Sequence, residues 1–235
     1  MTILPRSDPL PWLLVVLTVT TGLVDAVSVL GLGRVFTANM TGNVVFLGFA
    51  AVGVPGFSVV RAVVALAGFV VGAMLGGYLG VAMAGVARRR WLLTVAVVEA
   101  GLFFVATWVA MGYDRVAFTP VPTLYALITL TAIAMRLRNA TVRRLAVPDL
   151  TTTVLTMTLT GIAADSALAG GRNPRLGWRL AAVLAIFAGS AVGAVLVSLG
   201  GLAPPLVVTG ACILLVTVAY AVHPASKTVL SERQA

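Results

Sequence analysis

From position 11 to position 222 the chain is a succession of apolar runs separated only by short basic or turn-forming stretches. This pattern leaves few folds open, because each run must be covered by protein or by lipid. Charged residues make up 10% of the chain, against about 25% in a soluble domain. With 60% hydrophobic residues and a mean hydropathy of +1.08, the chain reads as an all-α, polytopic membrane bundle. The segment before position 12 is proline-rich and lacks the basic start and small-residue cleavage site of a signal peptide. The first apolar run is therefore expected to stay in the protein.

Eight apolar segments can be marked, at 11–30, 37–53, 61–86, 91–111, 122–135, 151–169, 178–200 and 204–222. A crossing helix needs about 20 residues. The second and sixth open on polar Thr/Asn/Gly steps that leave little uninterrupted apolar sequence. The fifth is short, and it reaches about position 137 if Arg136 extends to the interface.

Arginine and lysine placement separates two topologies. If all eight segments cross, the 16 basic residues divide 8 against 8. If the second and sixth enter and leave on one side, the division is 13 against 3, with Arg34, Arg61 and Arg115 alone opposite the rest. The strong bias selects six full spans plus two broken or re-entrant helices, with both termini cytoplasmic in a bacterial inner membrane. The net charge of +9 is then topology signal and contact with anionic lipid headgroups, and nucleic acid is not expected as a partner.

The two polar steps are related. Thr37-Ala38-Asn39-Met40-Thr41-Gly42 recurs 119 residues later as Thr156-Met157-Thr158-Leu159-Thr160-Gly161. Val24-Asp25-Ala26 precedes the first step and Arg138-Asn139-Ala140 the second. After each comes an Arg-led helix in which Arg61, Leu66, Ala67 and Phe69 match Arg179, Leu184, Ala185 and Phe187 at an offset of 118. Two membrane repeats, 11–112 and 122–222, are expected, followed by a short cytoplasmic tail at 223–235. Three full spans per copy invert the second copy in the bilayer, an inverted 3+3 architecture found among secondary transporters. Gly68, Gly72, Gly76 and Gly80 fall at every fourth residue, as do Ala185, Gly189 and Gly193. Such stripes let helices approach closely in lipid, within one chain or between the chains of a homodimer.

Polar residues inside the apolar runs carry the functional expectation, since a carboxylate at bilayer depth costs about 3 kcal/mol. Asp25, late in the first span, reads as an ion-coupling group or as a structural acceptor for the Thr-rich helix start. Glu99, mid-way along the fourth, reads as a relay acid or as the partner of Arg136 or Arg138 in the bundle interior. Thr37, Asn39, Thr41 and Asn43 in the first broken element, with Asn139, Thr156, Thr158 and Thr160 around the second, are candidates for binding a solute. Thr152 and Thr153 lie beside this second set. Half-helices starting inside the membrane aim free N–H groups and a positive dipole end at their surroundings. The competing reading is Thr hydroxyls bonding back to their own helix carbonyls. Arg138, Arg143 and Arg144, with Pro148-Asp149, form a basic connection that serves as a cytoplasmic anchor or as a vestibule for anions.

Catalytic and cofactor motifs are not visible. The single His223 lies at the end of the last run, where it reads as interfacial. A lone Cys212 excludes an intrachain disulfide and a cysteine metal cluster. Gly31-Leu32-Gly33 is too short for a phosphate loop. No cofactor, metal or enzymatic activity is expected.

Two long motifs resemble the YoaK-like family of bacterial inner-membrane proteins, a domain-of-unknown-function family. The first runs from Val24-Asp25-Ala26-Val27-Ser28 through Gly31-Leu32-Gly33 to Phe36-Thr37-Ala38-Asn39-Met40-Thr41-Gly42-Asn43. The second comprises Arg138-Asn139-Ala140, Arg143-Arg144-Leu145, Val147-Pro148-Asp149-Leu150-Thr151-Thr152-Thr153 and Leu159-Thr160-Gly161. The resemblance covers about residues 12–222 and implies a six-span membrane protein, without implying an activity. Arg138 departs from the Gln that members often carry before Asn-Ala, and it adds charge near the polar steps.

The leading expectation is a secondary transporter or facilitator of a small polar or anionic solute, with Asp25 as coupling group. The alternative is a non-transporting membrane module, lipid-binding or partner-stabilising, that oligomerises through its glycine seams.

Overall fold

The computed structural model describes residues 8–145, 147, 152 and 155–227. Among them eight α-helices form: α1 (Leu10–Gly31), α2 (Met40–Ala51), α3 (Val59–Ala82), α4 (Arg88–Ala110), α5 (Val121–Leu145), α6 (Thr156–Ala164), α7 (Leu176–Gly200) and α8 (Ala203–Val222). All but α2 and α6 are long and apolar enough to cross a membrane. The protein is a multi-pass, all-helical membrane bundle.

Local chemistry sets the helix starts. Asp8 precedes α1 and accepts the Leu10 N–H at 3.0 Å, with Pro11 in the first turn where its missing donor costs nothing. Ser58 accepts the Arg61 N–H at 3.4 Å to open α3. Gly201, at φ 74°, ends α7 in a conformation that side chains rarely adopt.

The short helices do not cross. At 1.5 Å per residue, α2 with 12 residues is about 18 Å long and α6 with 9 about 14 Å, against an apolar thickness of about 30 Å. Helix contacts fix where each begins and ends. Asp8 before α1, Arg88 at the start of α4 and Tyr220 at the end of α8 meet on one face, here the amino-terminal face. Arg61 near the start of α3 donates to Gly33 O just beyond α1 at 3.0 Å, so α1 ends where α3 begins, on the opposite face. The segment holding α2 thus enters and leaves on that face. Contacts between α1 and α7 advance in step along both helices, Val19 at Gly189 and then Leu23 and Ala26 at Gly193. The two are parallel, and α7 starts on the amino-terminal face. By the same test α5 is parallel to α3, with Thr129 at Gly68, Ile133 at Gly72 and Leu137 at Gly76, so α5 ends on the amino-terminal face. The segment holding α6 therefore enters and leaves there. Both are re-entrant, from opposite faces.

The glycine stripes are seams within the chain. A Cβ at Gly72 would lie 2.5 Å from Ile133 O, and one at Gly76 would lie 2.6 Å from Ala140 Cβ. Gly68 faces Ala132 and Thr129 of α5, and Gly80 faces the Arg144 guanidinium. On the second seam Gly189 abuts the Val19 carbonyl, and Gly193 abuts Leu23 and Ala26 of α1. Close backbone approach of this kind replaces the hydrophobic drive that lipid removes.

Several boundaries differ from the sequence expectation by three residues or more. Helix α5 continues to Leu145 instead of ending near position 137, because Arg138, Thr141 and Val142 are buried by neighbouring helices. Helix α2 starts at Met40 and α6 at Thr156, three and five residues after their expected segments begin. The expected tail begins as a 3-10 turn, Pro224–Lys227, whose Ser226 is buried and bonds the Ala221 and His223 carbonyls. Between α4 and α5, Asp114 pairs with Thr119 and accepts the Val116 and Ala117 N–H groups at 2.7 and 3.1 Å. Those bonds hold its carboxyl below the usual range. Tyr113 in the same loop donates to Gly31 O at 3.1 Å, and burial pushes its phenol up to about 12.

Candidate functional site

The backbone between α1 and α2 is held by one side chain. Asn43, fully buried, accepts the Phe36 N–H at 2.8 Å and donates to the Phe36 carbonyl at 2.5 Å. Its Nδ2 also reaches Met40 Sδ at 3.3 Å. This clasp keeps 36–39 out of the helix and delays α2 to Met40. Gly33, at φ 79°, lies against the Arg61 guanidinium, and a Cβ there would collide with it. On the other side Arg179, near the start of α7, donates to Gly161 O at 2.6 Å and pairs with Asp165 at 2.7 Å. Each re-entrant segment is thus tied to the arginine that opens the next span.

Helices α2 and α6 direct their starts into a common cleft of about 300 Å³. Its walls are Asn39, Thr41, Gly42, Val45 and Phe46 from the first re-entrant segment, with Leu155 and Thr156 from the second. No acidic side chain is among these residues. Asn39 and Leu155 occupy the N-cap positions, and neither side chain bonds its helix start. The first-turn N–H groups, unpaired within a helix, therefore remain available at both ends. The cleft combines hydroxyl and amide groups, two positive helix ends and an apolar wall of Val45, Phe46 and Leu155.

The expected binding residues divide. Asn39, Thr41 and Thr156 line the cleft. Thr37 and Thr158 are buried, and the Thr37 hydroxyl has no partner among the described residues. Asn43 is spent on Phe36, and Thr160 is exposed outside the lining. Asp25 and Asn139 are not in the lining either. They occupy matching positions, each six residues before the end of its helix, and each holds one buried side-chain oxygen without a partner. Thr152 is buried and its hydroxyl has no partner among the described residues, while Asp149, Thr151 and Thr153 lie outside them.

Glu99 and Arg138 form one buried ion pair between α4 and α5. Arg138 Nε and Nη2 both lie 2.6 Å from Glu99 Oε1, with the two side chains 3% and 1% exposed. Arg138 Nη1 donates to Leu17 O and Thr20 Oγ1 at 2.8 Å and to Thr21 Oγ1 at 3.2 Å, which adds α1 to the junction. Arg138 is accordingly an interior tie, while Arg143 is exposed and Arg144 half-buried on the amino-terminal face. A second cavity of about 20 Å³ adjoins the pair, lined also by Leu17, Thr141 and Thr217, with room for about one water molecule.

A family model described as protein of unknown function (DUF1275) matches residues 13–219. The chain belongs to this DUF1275 family. It is 36% identical over 157 residues to UPF0700 transmembrane protein YoaK of Bacillus subtilis (strain 168), a match covering 65% of this chain and 65% of that relative. The match thus spans just under two thirds of the relative's length. No solved structure matches. The resemblance read from the two long motifs is correct, and both lie inside the range matched by the DUF1275 model.

Several residues that line the cleft or tie the bundle of this DUF1275 member carry no clear sequence signal. Val45, Phe46 and Leu155 line the cleft but read only as apolar. Asp8, which pairs with Arg88 at 2.7 Å and bonds the Tyr220 hydroxyl at 3.4 Å, reads as part of a solvated tail. Thr20 and Thr21 had a visible signal, hydroxyls clustered in an apolar span, which points to an interior polar partner.

Proposed function

We propose that the chain is a secondary transporter or facilitator of a small polar solute, preferentially an anion, with the cleft between α2 and α6 as its binding site. One observation carries this reading: two re-entrant helices enter from opposite faces and direct uncapped N-termini into a shared cleft of about 300 Å³. Helix N-termini favour negative charge, and the absence of an acidic group from the lining leaves that preference unopposed.

A recurring pattern of helix contacts supports the same reading, with the chain taken as two inverted halves. Gly72 meets Ile133 while Gly189 meets Val19, and Gly76 meets Leu137 and Ala140 while Gly193 meets Leu23 and Ala26. The second set follows from the first by one offset of 117 for α3 to α7 and one of 114 between α1 and α5. Each half lends its first helix to the other. A cleft between halves of opposite direction suits access alternating between the faces. The arginine bias then assigns the amino-terminal face to the cytoplasm of a bacterial cell, with both termini inside. Asp25 is the coupling group and its counterpart Asn139 is uncharged, so a proton or cation is served by one half only. The glycine seams are occupied within the chain, which leaves the oligomerising module without the surface it was built on.

Uptake by purified protein in liposomes tests the proposal. The solutes are small carboxylates, inorganic phosphate and neutral polyols, with and without a pH gradient. At least one solute is expected to enter, with uptake reduced about tenfold or more in Asn39→Ala/Thr156→Ala, as for loss of one to two hydrogen bonds. Response to the gradient is expected to disappear in Asp25→Asn. Absence of any uptake sensitive to these substitutions removes the reading.

A further inference from the structure

Three arginines of α5 gather along its seam with α3, near the amino-terminal face. Arg136 lies over the Phe69 ring at 4.3 Å, and its Nε is buried without a hydrogen-bond partner. Arg143, two turns on along the same face of α5, is exposed. Arg144 donates to Gly77 O at 3.3 Å, and its guanidinium fills the notch beside Gly80. Three other arginines of the bundle are neutralised, Arg88 by Asp8, Arg138 by Glu99 and Arg179 by Asp165. Arg136, Arg143 and Arg144 have no acidic partner among the described residues.

Three guanidinium groups on one seam, without an acidic partner among the described residues, are costly at the edge of a bilayer, and Arg136 is set deeper than the other two. The contacts they make hold them in place without consuming their charge. An aromatic face supports Arg136, and a single carbonyl supports Arg144. Most of their donors have no partner among the described residues, and the planar guanidinium fork matches the oxygens of a phosphate.

We infer that Arg136, Arg143 and Arg144 form a binding site for a phosphate group, carried by an anionic phospholipid headgroup or by a soluble phosphate ester. The site is separate from the cleft between α2 and α6 and does not depend on the transport reading.

Delipidated full-length protein in detergent provides the test. Native mass spectrometry reads retention of phosphatidylglycerol against phosphatidylcholine. Inorganic phosphate and glycerol 3-phosphate serve as soluble competitors, and each is also titrated directly by calorimetry. Wild type is expected to bind at least one of these phosphates, and Arg136→Gln/Arg143→Gln/Arg144→Gln to bind about tenfold more weakly or worse. Arg89→Gln/Arg90→Gln removes charge from the same face and is expected to bind as wild type does. Phosphatidylglycerol held against soluble competitors assigns the lipid headgroup, and displacement by them assigns the soluble ester. Should the glutamine variant not fold, the three Arg→Lys changes keep the charge, lose the fork and are expected to weaken binding severalfold. The inference is overturned if wild type binds no phosphate, or if the Arg89/Arg90 control loses as much as the triple variant.

Discussion

Glu99 and Arg138 show how a charge survives inside this bundle. Alone, either would be expelled or would draw in water. Together they share Oε1, and Leu17, Thr20 and Thr21 supply acceptors for Nη1 of the guanidinium. Removing one partner strands the other. Glu99→Gln is expected to destabilise the protein by about 3–5 kcal/mol, and Glu99→Gln/Arg138→Gln by clearly less. Thermal unfolding in detergent, read as a double-mutant cycle, checks this, and additive losses would refute the coupling. The pairing was one of two readings available from sequence, since charge alone cannot say whether Glu99 takes Arg136 or Arg138. Helical phase decides it: Arg138 shares the buried face with Thr131, Met135 and Val142, whereas Arg136 turns toward Phe69. Asn43 was legible as polar but not as a clasp, because its bonds to Phe36 depend on a loop path that no spacing reveals.

For the helices, legibility followed hydropathy. Six spans and two interruptions could be read from apolar length, and the interruptions are α2 and α6. The end of α5 could not, because a basic stretch looks like a loop until Glu99 is known to neutralise one of its charges. The glycine stripes were visible as packing faces, but their partner helices were not, since apolar sequence carries no label for its neighbour. Their roles can be told apart at adjacent positions. Gly76→Ala places a Cβ 2.6 Å from Ala140 Cβ, whereas one at Gly77 meets nothing within 4 Å. Gly76→Ala is expected to cost about 2–3 kcal/mol from overpacking. Gly77→Ala is expected to be neutral or stabilising by up to about 1 kcal/mol through the lost freedom of glycine. Melting temperatures of the two variants measure the contrast, and equal effects would contradict the seam.

At the scale of the molecule, counting arginines selected the correct architecture without any knowledge of packing. The imbalance of 13 to 3 came from letting two segments turn back, and the contacts of Arg61, Gly189 and Gly72 show that they do. Gly56, between α2 and α3, and Gly170, between α6 and α7, must therefore lie on opposite sides of the membrane. Reporter fusions or single-cysteine labelling at these two positions are expected to give opposite accessibility, and the same accessibility at both would restore eight crossings. The solute is not legible at this scale, because the cleft is lined by groups suited to many small polar molecules.

The packing of α1 on α7, which begins 145 residues after α1 ends, also sets a timetable for synthesis. Helix α1 cannot dock until α7 has been made, and at about 5–20 residues per second the wait is roughly 7–30 s. Throughout most of that interval Thr20 and Thr21 have no guanidinium to receive, and the close-packing face of Gly22 lies bare to lipid or to the insertion machinery; Glu99, once made, waits a further 39 residues for Arg138. The nascent first half is thus an exposed intermediate by construction, and the order of translation, more than local helix strength, decides when the bundle becomes one body.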